Sequence, residues 1–365
     1  MNARGSRAPA DGSSLRHYSQ RVVIALGLGA LLVTVLYLLH GIADALLLVF
    51  GGVLLAIALD GLARPISKFF GLPRRWSLVL ILVLIPAALI GFGWLAGPQI
   101  ADQTGQLLEY IPSAIESAKG LVEEIGWLSA MVERLPNSEQ LIRSSAGVLG
   151  RIPGIFTSVV GAALGAVLIV FIGVFLSFDP AAYIDNALRL VPTDKRERAR
   201  EIVDGLGEAL RWWLLGRLAS MGVVGVLTVI GLLIAGIPLA LVLGLLAAVL
   251  AFVPLLGPIV SAVPAILIAL LDSPLRALYA VIVYVVVQSL ESYIITPLIQ
   301  RQAVFLPPAL ILIAQTLMGV MFGWIGVLLS TPIAVTVIVS VQLLYVEDTL
   351  GDSVTALGDH STATA

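Results

Sequence analysis

The sequence contains no cysteine and few charged residues. The absence of Cys from all 365 residues excludes disulfide bonds, thiolate nucleophiles and thiolate metal sites. The three histidines, His17, His40 and His360, are scattered, which argues against a histidine-based metal centre. Charged residues form only 12% of the chain, against about 25% in soluble domains, and the formal net charge is -2. This balance gives no reason to expect a nucleic acid partner.

Sequence motifs of several enzyme classes are also missing. The chain has no Gly-rich loop ending in Lys and Ser or Thr, no HExxH pair and no GxSxG elbow, so ATP-driven work, zinc proteolysis and serine hydrolysis lack support. A potassium-filter sequence is absent as well. We therefore expect a protein that is not an enzyme and needs no cofactor, apart from H⁺ or Na⁺ as a coupling ion.

Hydrophobic residues make up most of the chain. They account for 59% of it, and the mean hydropathy is +1.04. Long apolar runs of this kind predict an all-α polytopic membrane protein. Lipid offers no hydrogen-bond partners, and an α-helix satisfies the backbone N–H and C=O groups within the span itself. We count about eight membrane segments, two of them broken or hairpin-like, plus an extracytoplasmic amphipathic helical region. We expect the lipid bilayer as a partner.

Alternating apolar and charged segments divide the chain into seven predicted regions. Basic clusters between the spans indicate the cytoplasmic side, and we expect both termini there. The regions are a disordered tail at 1–21, membrane spans one to three at 22–97, an extracytoplasmic helical region at 98–153, a fourth span at 154–178, a charged cytoplasmic helical segment at 179–213, a C-terminal transport half at 214–345, and an acidic disordered tail at 346–365.

The extracytoplasmic region carries one clear helical pattern. Pro112 is well placed as the first residue of a helix that runs towards Arg134, with apolar residues at spacings of three and four. An amphipathic helix of this kind can pack on its own membrane domain. Alternatively, it can form a contact between subunits of a homo-oligomer.

Two apolar stretches are too long for one straight span. Residues 238–271 would reach roughly 50 Å as a helix, against a hydrocarbon core of about 30 Å. Pro254, Gly257 and Pro258 break this stretch, and lipid cannot satisfy the backbone groups that they free. The break must therefore be buried in protein or face an aqueous cavity, in a bent span or a hairpin.

The second long stretch, 308–345, repeats this punctuation. When the two are superposed, Gly257 falls with Gly326, and Pro264 falls with Pro332 after a slip of one residue. Interrupted apolar segments at corresponding positions indicate internal repeats of secondary transporters. If both are hairpins, the helix between them places the second on the opposite membrane face, which gives an inverted pair.

A carboxylate in a membrane segment is the main candidate functional group. Glu291 belongs to a polar stripe with Tyr284, Gln288, Ser292 and Thr296, on a helix that Pro297 is expected to end. A lone ionised carboxylate in lipid costs several kcal/mol, so it must be protonated, paired or hydrated. A sheltered carboxyl group of this kind can exchange a proton for a cation or couple proton movement to a substrate.

The structural alternative is that Glu291 pairs with Arg301 or with Arg217. Arg217 itself begins a span, and we expect it to snorkel to the interface. Four further polar residues can line a substrate or ion pathway together with Glu291, or they can hydrogen-bond to the backbone of their own helices. They are Gln315, Thr316, Ser330 and Thr331.

An ordered series of motifs in residues 211–339 resembles a bacterial permease family. The series contains Gly236-Ile237-Pro238, then Pro254-x-x-Gly257-Pro258, Gln288-x-x-Glu291 closing on Thr296-Pro297, Phe322-Gly323-x-x-Gly326, and Pro332. It is similar to the C-terminal half of the autoinducer-2 exporter family, while the N-terminal half agrees in span layout. Arg217 stands where many relatives have Gln, and Glu291-Ser292 where many have a small or amide pair.

This resemblance implies a multi-pass secondary transporter in the cytoplasmic (inner) membrane of a bacterium. It would export a small polar solute, such as an autoinducer-2-like signalling molecule. It also implies an alternative, a Na⁺(Li⁺)/H⁺ antiporter, for which the partner is a monovalent cation. A membrane scaffold protein that transports nothing is an alternative of another class, and proton-gradient-dependent flux would distinguish the two classes.

Overall fold

The structure is a computed structural model that describes residues 42–124, 152–299 and 306–350. Every regular element in these ranges is helical, which confirms the all-α prediction. The predicted tail at 1–21, the first predicted span, residues 125–151, Arg301 and residues 351–365 lie outside the described residues.

We number the α-helices of the described ranges in chain order. A 3₁₀ turn covers Thr193–Lys195, and π-helical turns cover Glu291–Ile295 and Gln342–Leu350. The α-helices are α1 (Ile42–Phe70), α2 (Arg74–Glu124), α3 (Ile152–Phe178), α4 (Pro180–Leu188), α5 (Arg196–Ile234), α6 (Ala240–Leu250), α7 (Leu256–Asp272), α8 (Pro274–Leu290), α9 (Thr296–Ile299) and α10 (Pro308–Val341).

Five helical segments in the described ranges are long and apolar enough to cross a membrane. A sixth becomes possible if the pair formed by α3 and α4, bent by 86°, counts as one span. The helices α6 and α7 are apolar but shorter. The structure therefore supports several membrane segments, while the number eight stays a prediction.

The chain divides into two units, Met1–Val49 and Phe50–Ala365. Of the first unit, only residues 42–49 are described, and they form the beginning of α1. In the second unit, α1 and α2 share a small apolar core of Leu59, Ala63, Leu78 and Ile81. Beside it, Arg74 donates to Asp60 and to the last carbonyls of α3, which satisfies acceptors that the helix end leaves open.

The helix α2 is one continuous element of 51 residues, about 75 Å long. The prediction that a helix begins at Pro112 is wrong, because Pro112 lies inside α2 together with Pro86 and Pro98. The C-terminal part of α2 packs on the rest of the second unit. Gln103 accepts a hydrogen bond from the backbone of Val242 at 3.1 Å, and Leu107 joins the main core. Within the described part of this region, these contacts favour the alternative in which the helix packs on its own membrane domain.

The main core is built around α5 and the helix pair α6 and α7. Close contacts run antiparallel along α5 and α6: Gly225 lies against Ala248, and Gly244 lies against Val229. Near the start of the α5 span, the ring of Trp213 meets Phe252 edge to face at 5.9 Å. The bend between α6 and α7 therefore lies near Trp213, and the open ends of the pair lie towards Ile234.

The stretch 238–271 is a helical hairpin, which we call hairpin 1 (α6, the bend at 251–255, and α7). A Cβ added to Gly257 would lie 1.9 Å from the carbonyl oxygen of Leu250, so only glycine allows the first turn of α7 to approach the end of α6. Leu255, at the bend, has a φ of 67°. The sequence-based prediction of a broken or hairpin-like segment is confirmed here.

The second stretch also folds back on itself, and we call it hairpin 2 (Pro308–Val341). Its backbone leaves helical geometry at Gly323, with φ 60° and ψ −141°. A Cβ on Gly326 would lie 2.0 Å from the carbonyl oxygen of Met318, although eight residues of straight helix span about 12 Å. Gly326 thus takes the same place in hairpin 2 as Gly257 in hairpin 1, as their superposition in the sequence predicted.

The two hairpins open towards opposite ends of α5. The open ends of hairpin 1 lie towards Ile234, the C-terminal end of α5. The second limb of hairpin 2 instead leads to residues that contact the N-terminal, charged end of α5. There, Arg198 donates to the carbonyl of Leu343 at 3.1 Å and forms an ion pair with Asp348 at 2.8 Å. This arrangement matches the inverted pair that the sequence suggested.

These contacts also correct the predicted C-terminal tail. We expected disorder from residue 346 onward, but the helical turn Gln342–Leu350 includes residues 346–350. Its acidic residues Glu347 and Asp348 lie at Arg198, so the acidic character of the segment has a partner inside the same chain.

The close contact at the bend of hairpin 1 predicts that a methyl group added at Gly257 lowers the stability of the fold. Gly257→Ala places a carbon against a backbone carbonyl, and we expect a loss of about 1–3 kcal/mol in the free energy of unfolding. Gly222→Ala is the matched control, because a Cβ there meets nothing within 4 Å. Thermal unfolding of both purified variants in detergent checks this prediction. Equal stability of the two variants would contradict the close approach.

The opposite directions of the hairpins predict opposite accessibility. Because the chain contains no Cys, single cysteines need no prior substitutions. Asp272→Cys marks the open end of hairpin 1, and Thr349→Cys marks the segment after hairpin 2. We expect a membrane-impermeant thiol reagent to label the two from opposite faces in sealed vesicles of known orientation. Labelling of both from one face would exclude the inverted arrangement.

Candidate functional site

The helix that carries Glu291 changes its geometry at this residue. The α-helix α8 ends at Leu290, a π-helical turn covers Glu291–Ile295, and α9 continues from Thr296. The backbone N–H of Thr296 accordingly donates to the carbonyl of Glu291. Pro297 explains the wider turn, because it lacks an N–H and its ring crowds the preceding turn of an α-helix. The prediction that Pro297 ends the helix is wrong, since α9 extends to Ile299.

The π-helical turn brings donors to one oxygen of the Glu291 carboxylate. Oε1 accepts hydrogen bonds from Arg217 Nη1 at 3.1 Å, Ser220 Oγ at 2.9 Å and Thr296 Oγ1 at 3.3 Å. Arg217 and Ser220 lie one turn apart on α5, so both reach the same carboxylate. Glu291 and Arg217 are only 8% and 6% exposed, which makes them a buried ion pair.

Residues of the carboxylate's own helix surround the other oxygen. Oε2 accepts from Gln288 Nε2 at 3.0 Å and from Ser292 Oγ at 3.4 Å. We name these six residues the carboxylate cluster: Arg217, Ser220, Gln288, Glu291, Ser292 and Thr296. All five neighbours donate to the carboxylate here, although the three hydroxyls and the Gln288 amide can also accept a hydrogen bond.

Arg217 extends the carboxylate cluster to the bend of hairpin 1. Its Nε donates to the carbonyl oxygen of Phe252 at 3.3 Å, one of the groups that the helix break frees. The expectation that Arg217 snorkels to the interface is wrong, because its guanidinium is buried between Glu291 and Phe252. Of the two predicted partners of Glu291, Arg217 is the one that the described residues show.

Hairpin 2 satisfies a second carbonyl of the same bend. The oxygen of Pro254 accepts from Leu256 N at 2.8 Å and from Gln315 Nε2 at 2.7 Å. Pro258, four residues after Pro254, has no N–H to donate to it. Gln315 is 2% exposed, so its side chain holds the two hairpins together inside the protein.

The structure brings together some predicted residues and separates others. Gln288, Glu291, Ser292 and Thr296 form the cluster, while Pro254, Gly257 and Gln315 meet at the bend of hairpin 1. Tyr284 belongs to neither group, and its hydroxyl donates to the carbonyl of Ser261 at 3.0 Å.

The remaining predicted residues have local partners or none. Thr316 is exposed and donates to Leu312 O at 2.8 Å, so it bonds its own helix. Ser330 is buried and donates to Val327 O at 2.6 Å. Thr331 is buried, and its hydroxyl has no hydrogen-bond partner. Pro258 contributes its carbonyl oxygen, which accepts from Ser261 Oγ at 3.0 Å.

Sequence reasoning named Arg217 only as a structural partner of Glu291, and it missed Ser220. The available signal was their spacing of three on a span opposite a lone carboxylate, since a buried acid needs a cation or several donors. Within the described residues, no group of three or more His, Asp or Glu could hold a metal ion.

The buried pair predicts strong energetic coupling between Arg217 and Glu291. Arg217→Met and Glu291→Leu each leave one buried charge unpaired, and each should cost about 3–5 kcal/mol, while the double variant should recover much of that loss. The exposed pair Arg276–Asp272 is the matched control, with an expected coupling of about 1 kcal/mol or less. Chemical unfolding in detergent measures both cycles. Additive losses at Arg217 and Glu291 would contradict the pair.

Comparison with known proteins assigns the chain to a family. A family model for AI-2E family transporters matches residues 24–345. The chain is 28% identical to YueF of Bacillus subtilis over 274 residues, 72% of this chain and 74% of YueF. It is 29% identical to YrrI of the same organism over 317 residues, 81% of this chain and 86% of YrrI. Both relatives are named as transport proteins. The chain described here is a multi-pass membrane protein that belongs to the AI-2E transporter family.

Proposed function

We propose that this protein is a secondary transporter that exports a small polar solute of the autoinducer-2 type across the bacterial cytoplasmic membrane. The observation that carries the proposal is the buried Arg217–Glu291 pair, which also binds the bend of hairpin 1 through Phe252. A plain membrane anchor has no use for a buried ion pair joined to a broken helix.

In this proposal, the carboxylate cluster is a latch on hairpin 1. While Glu291 is ionised, Arg217 stays between the carboxylate and the carbonyl of Phe252. A proton on Glu291 removes the charge that holds Arg217, and a polar solute can offer replacement acceptors to the guanidinium. Either event weakens the contact with Phe252 and allows the bend of hairpin 1 to move.

The latch also gives Glu291 a role in ion coupling. Proton binding at Glu291 and solute binding at Arg217 both act on the same ion pair, so each affects the free energy of the other. Export would then consume the proton gradient, with H⁺ as the coupling ion. No covalent chemistry or cofactor enters this cycle.

The charged end of α5 is proposed to face the cytoplasm, together with both termini. Arg64, Arg74, Arg75 and Arg198 lie in or beside this end of the helices, as the positive-inside rule requires. Hairpin 1 then enters from the outer face and hairpin 2 from the inner face. The amphipathic pattern in the C-terminal part of α2 predicts a homo-oligomer, and this stays a prediction.

Exchange of Na⁺ or Li⁺ for H⁺ is the second candidate function. A buried carboxylate with hydroxyl and amide neighbours favours it, because oxygen ligands suit these ions. In this case the monovalent cation itself takes the place of the solute at the cluster.

Flux through proteoliposomes tests both candidates. We expect vesicles loaded with autoinducer-2 to release it faster when they contain the purified protein and carry a proton gradient. Glu291→Gln should lower this gradient-dependent release at least about tenfold, because it removes the titratable group. For the antiporter, a pH-sensitive dye inside the vesicles reports proton movement after Na⁺ or Li⁺ is added.

Ser289→Ala is the control for Glu291→Gln. Ser289 lies two residues away on the same helix, and its hydroxyl donates only to its own backbone, at Val285 O. We expect this variant to transport as the unaltered protein does. Full gradient-dependent flux in Glu291→Gln would rule out coupling through Glu291, and flux of neither solute nor cation would favour a scaffold role.

A further inference from the structure

Hairpin 2 contains two buried polar oxygens that have no hydrogen-bond partner. Gln315 donates through Nε2 to Pro254, but its Oε1 accepts nothing, and Thr331 Oγ1 is unpartnered as well. Each residue is 2% exposed. Leaving a buried polar atom unpaired is costly, so two such atoms in one hairpin require a physical explanation.

The register of hairpin 2 places these two residues on facing positions of its two limbs. Gly319 on the first limb lies against Val327 on the second, where a Cβ on Gly319 would meet Val327 Cγ2 at 2.8 Å. One helical turn away from the bend, four residues on each limb, the facing residues are Gln315 and Thr331. Both side chains therefore belong to the stripe where the two limbs meet.

The backbone offers a third oxygen at the same level. Pro332 lies inside the second limb and has no N–H, so the carbonyl of Leu328 lacks the donor that a helix would normally supply. Leu328 lies within one turn of Thr331. The limb junction thus presents an amide oxygen, a hydroxyl oxygen and a backbone carbonyl.

We propose that the junction of the two limbs of hairpin 2 binds a monovalent metal cation, Na⁺ or Li⁺, through Gln315 Oε1, Thr331 Oγ1 and the carbonyl of Leu328. The proposal rests on the transport function and adds a cation site separate from the carboxylate cluster. Neutral oxygens in a protein interior replace the hydration shell of such an ion. They lack the negative charge that a divalent ion requires.

The position of this site links cation binding to the hairpin contact. Gln315 uses one end of its amide for Pro254 in hairpin 1 and offers the other end to the ion. A bound cation fixes the amide orientation, and with it the donor that hairpin 1 needs. Occupancy would therefore stabilise the arrangement in which the two hairpins are joined.

Thermal unfolding in detergent tests the site without any transport. The unfolding midpoint of the full-length protein is measured while choline chloride is replaced by NaCl or LiCl at constant ionic strength. We expect the midpoint to rise with Na⁺ or Li⁺ and to saturate. Thr331→Val should weaken the apparent affinity about tenfold or more, because it removes one ligand oxygen without changing the side-chain shape.

Two further variants control this measurement. Thr331→Ser keeps the hydroxyl, so we expect the cation response to return. Thr228→Val removes another buried and unpartnered hydroxyl, on α5 and outside the site, and should leave the response unchanged. In choline alone, Thr331→Val should unfold no earlier than the unaltered protein, since its hydroxyl makes no bond that folding needs.

Failure of the cation site and failure of the transport function are distinguishable. A midpoint that ignores Na⁺ and Li⁺, or an unchanged response in Thr331→Val, overturns the site, whatever the flux experiments show. A water molecule between the two oxygens would give the first of these results. A saturable response that Thr331→Val loses supports the site even if autoinducer-2 is not transported.

Discussion

The structure depends on one constraint: backbone groups freed by a broken helix cannot be left to lipid. Breaks at Pro254, Pro258 and Gly323 interrupt two apolar stretches in which water is scarce and each unpaired group is costly. The protein satisfies the carbonyls of Phe252 and Pro254 with buried side chains from other helices, Arg217 and Gln315. The irregular backbone at the bend of hairpin 1 therefore depends on buried polar side chains, and one of them, Arg217, also belongs to the carboxylate cluster.

Much of the fold could be predicted from the sequence because it follows from local chemistry. Hydrophobic content identified the membrane class, and overlong apolar runs with Pro and Gly identified two broken segments, each a bent span or a hairpin. The superposition of Gly257 on Gly326 also succeeded, because each position needs a residue without a Cβ where the limbs cross. The continuous α2 was harder to predict, since Pro usually marks the first turn of a helix, whereas Pro112 lies inside one.

The site was only partly predictable, for a physical reason. The stripe of Gln288, Glu291, Ser292 and Thr296 follows from helical spacing, but its pairing with Arg217 joins residues 74 positions apart. An Arg next to tryptophans at the start of a span usually reaches the interface, and nothing local distinguishes that case from burial. The π-helical turn was equally hidden, although Pro297 is the residue that favours it.

The order of the contacts shows why a charge change at Glu291 matters beyond its own helix. Glu291 holds Arg217, Arg217 holds the carbonyl of Phe252, and two residues later the carbonyl of Pro254 accepts from Gln315. Each link joins a different helix, so α8, α5, hairpin 1 and hairpin 2 share one chain of hydrogen bonds. Hairpin 1 cannot shift along α5 without breaking the links on both sides of its bend. An event that separates Arg217 from Glu291 would therefore also act on the bend of hairpin 1, to which Arg217 and Gln315 both donate.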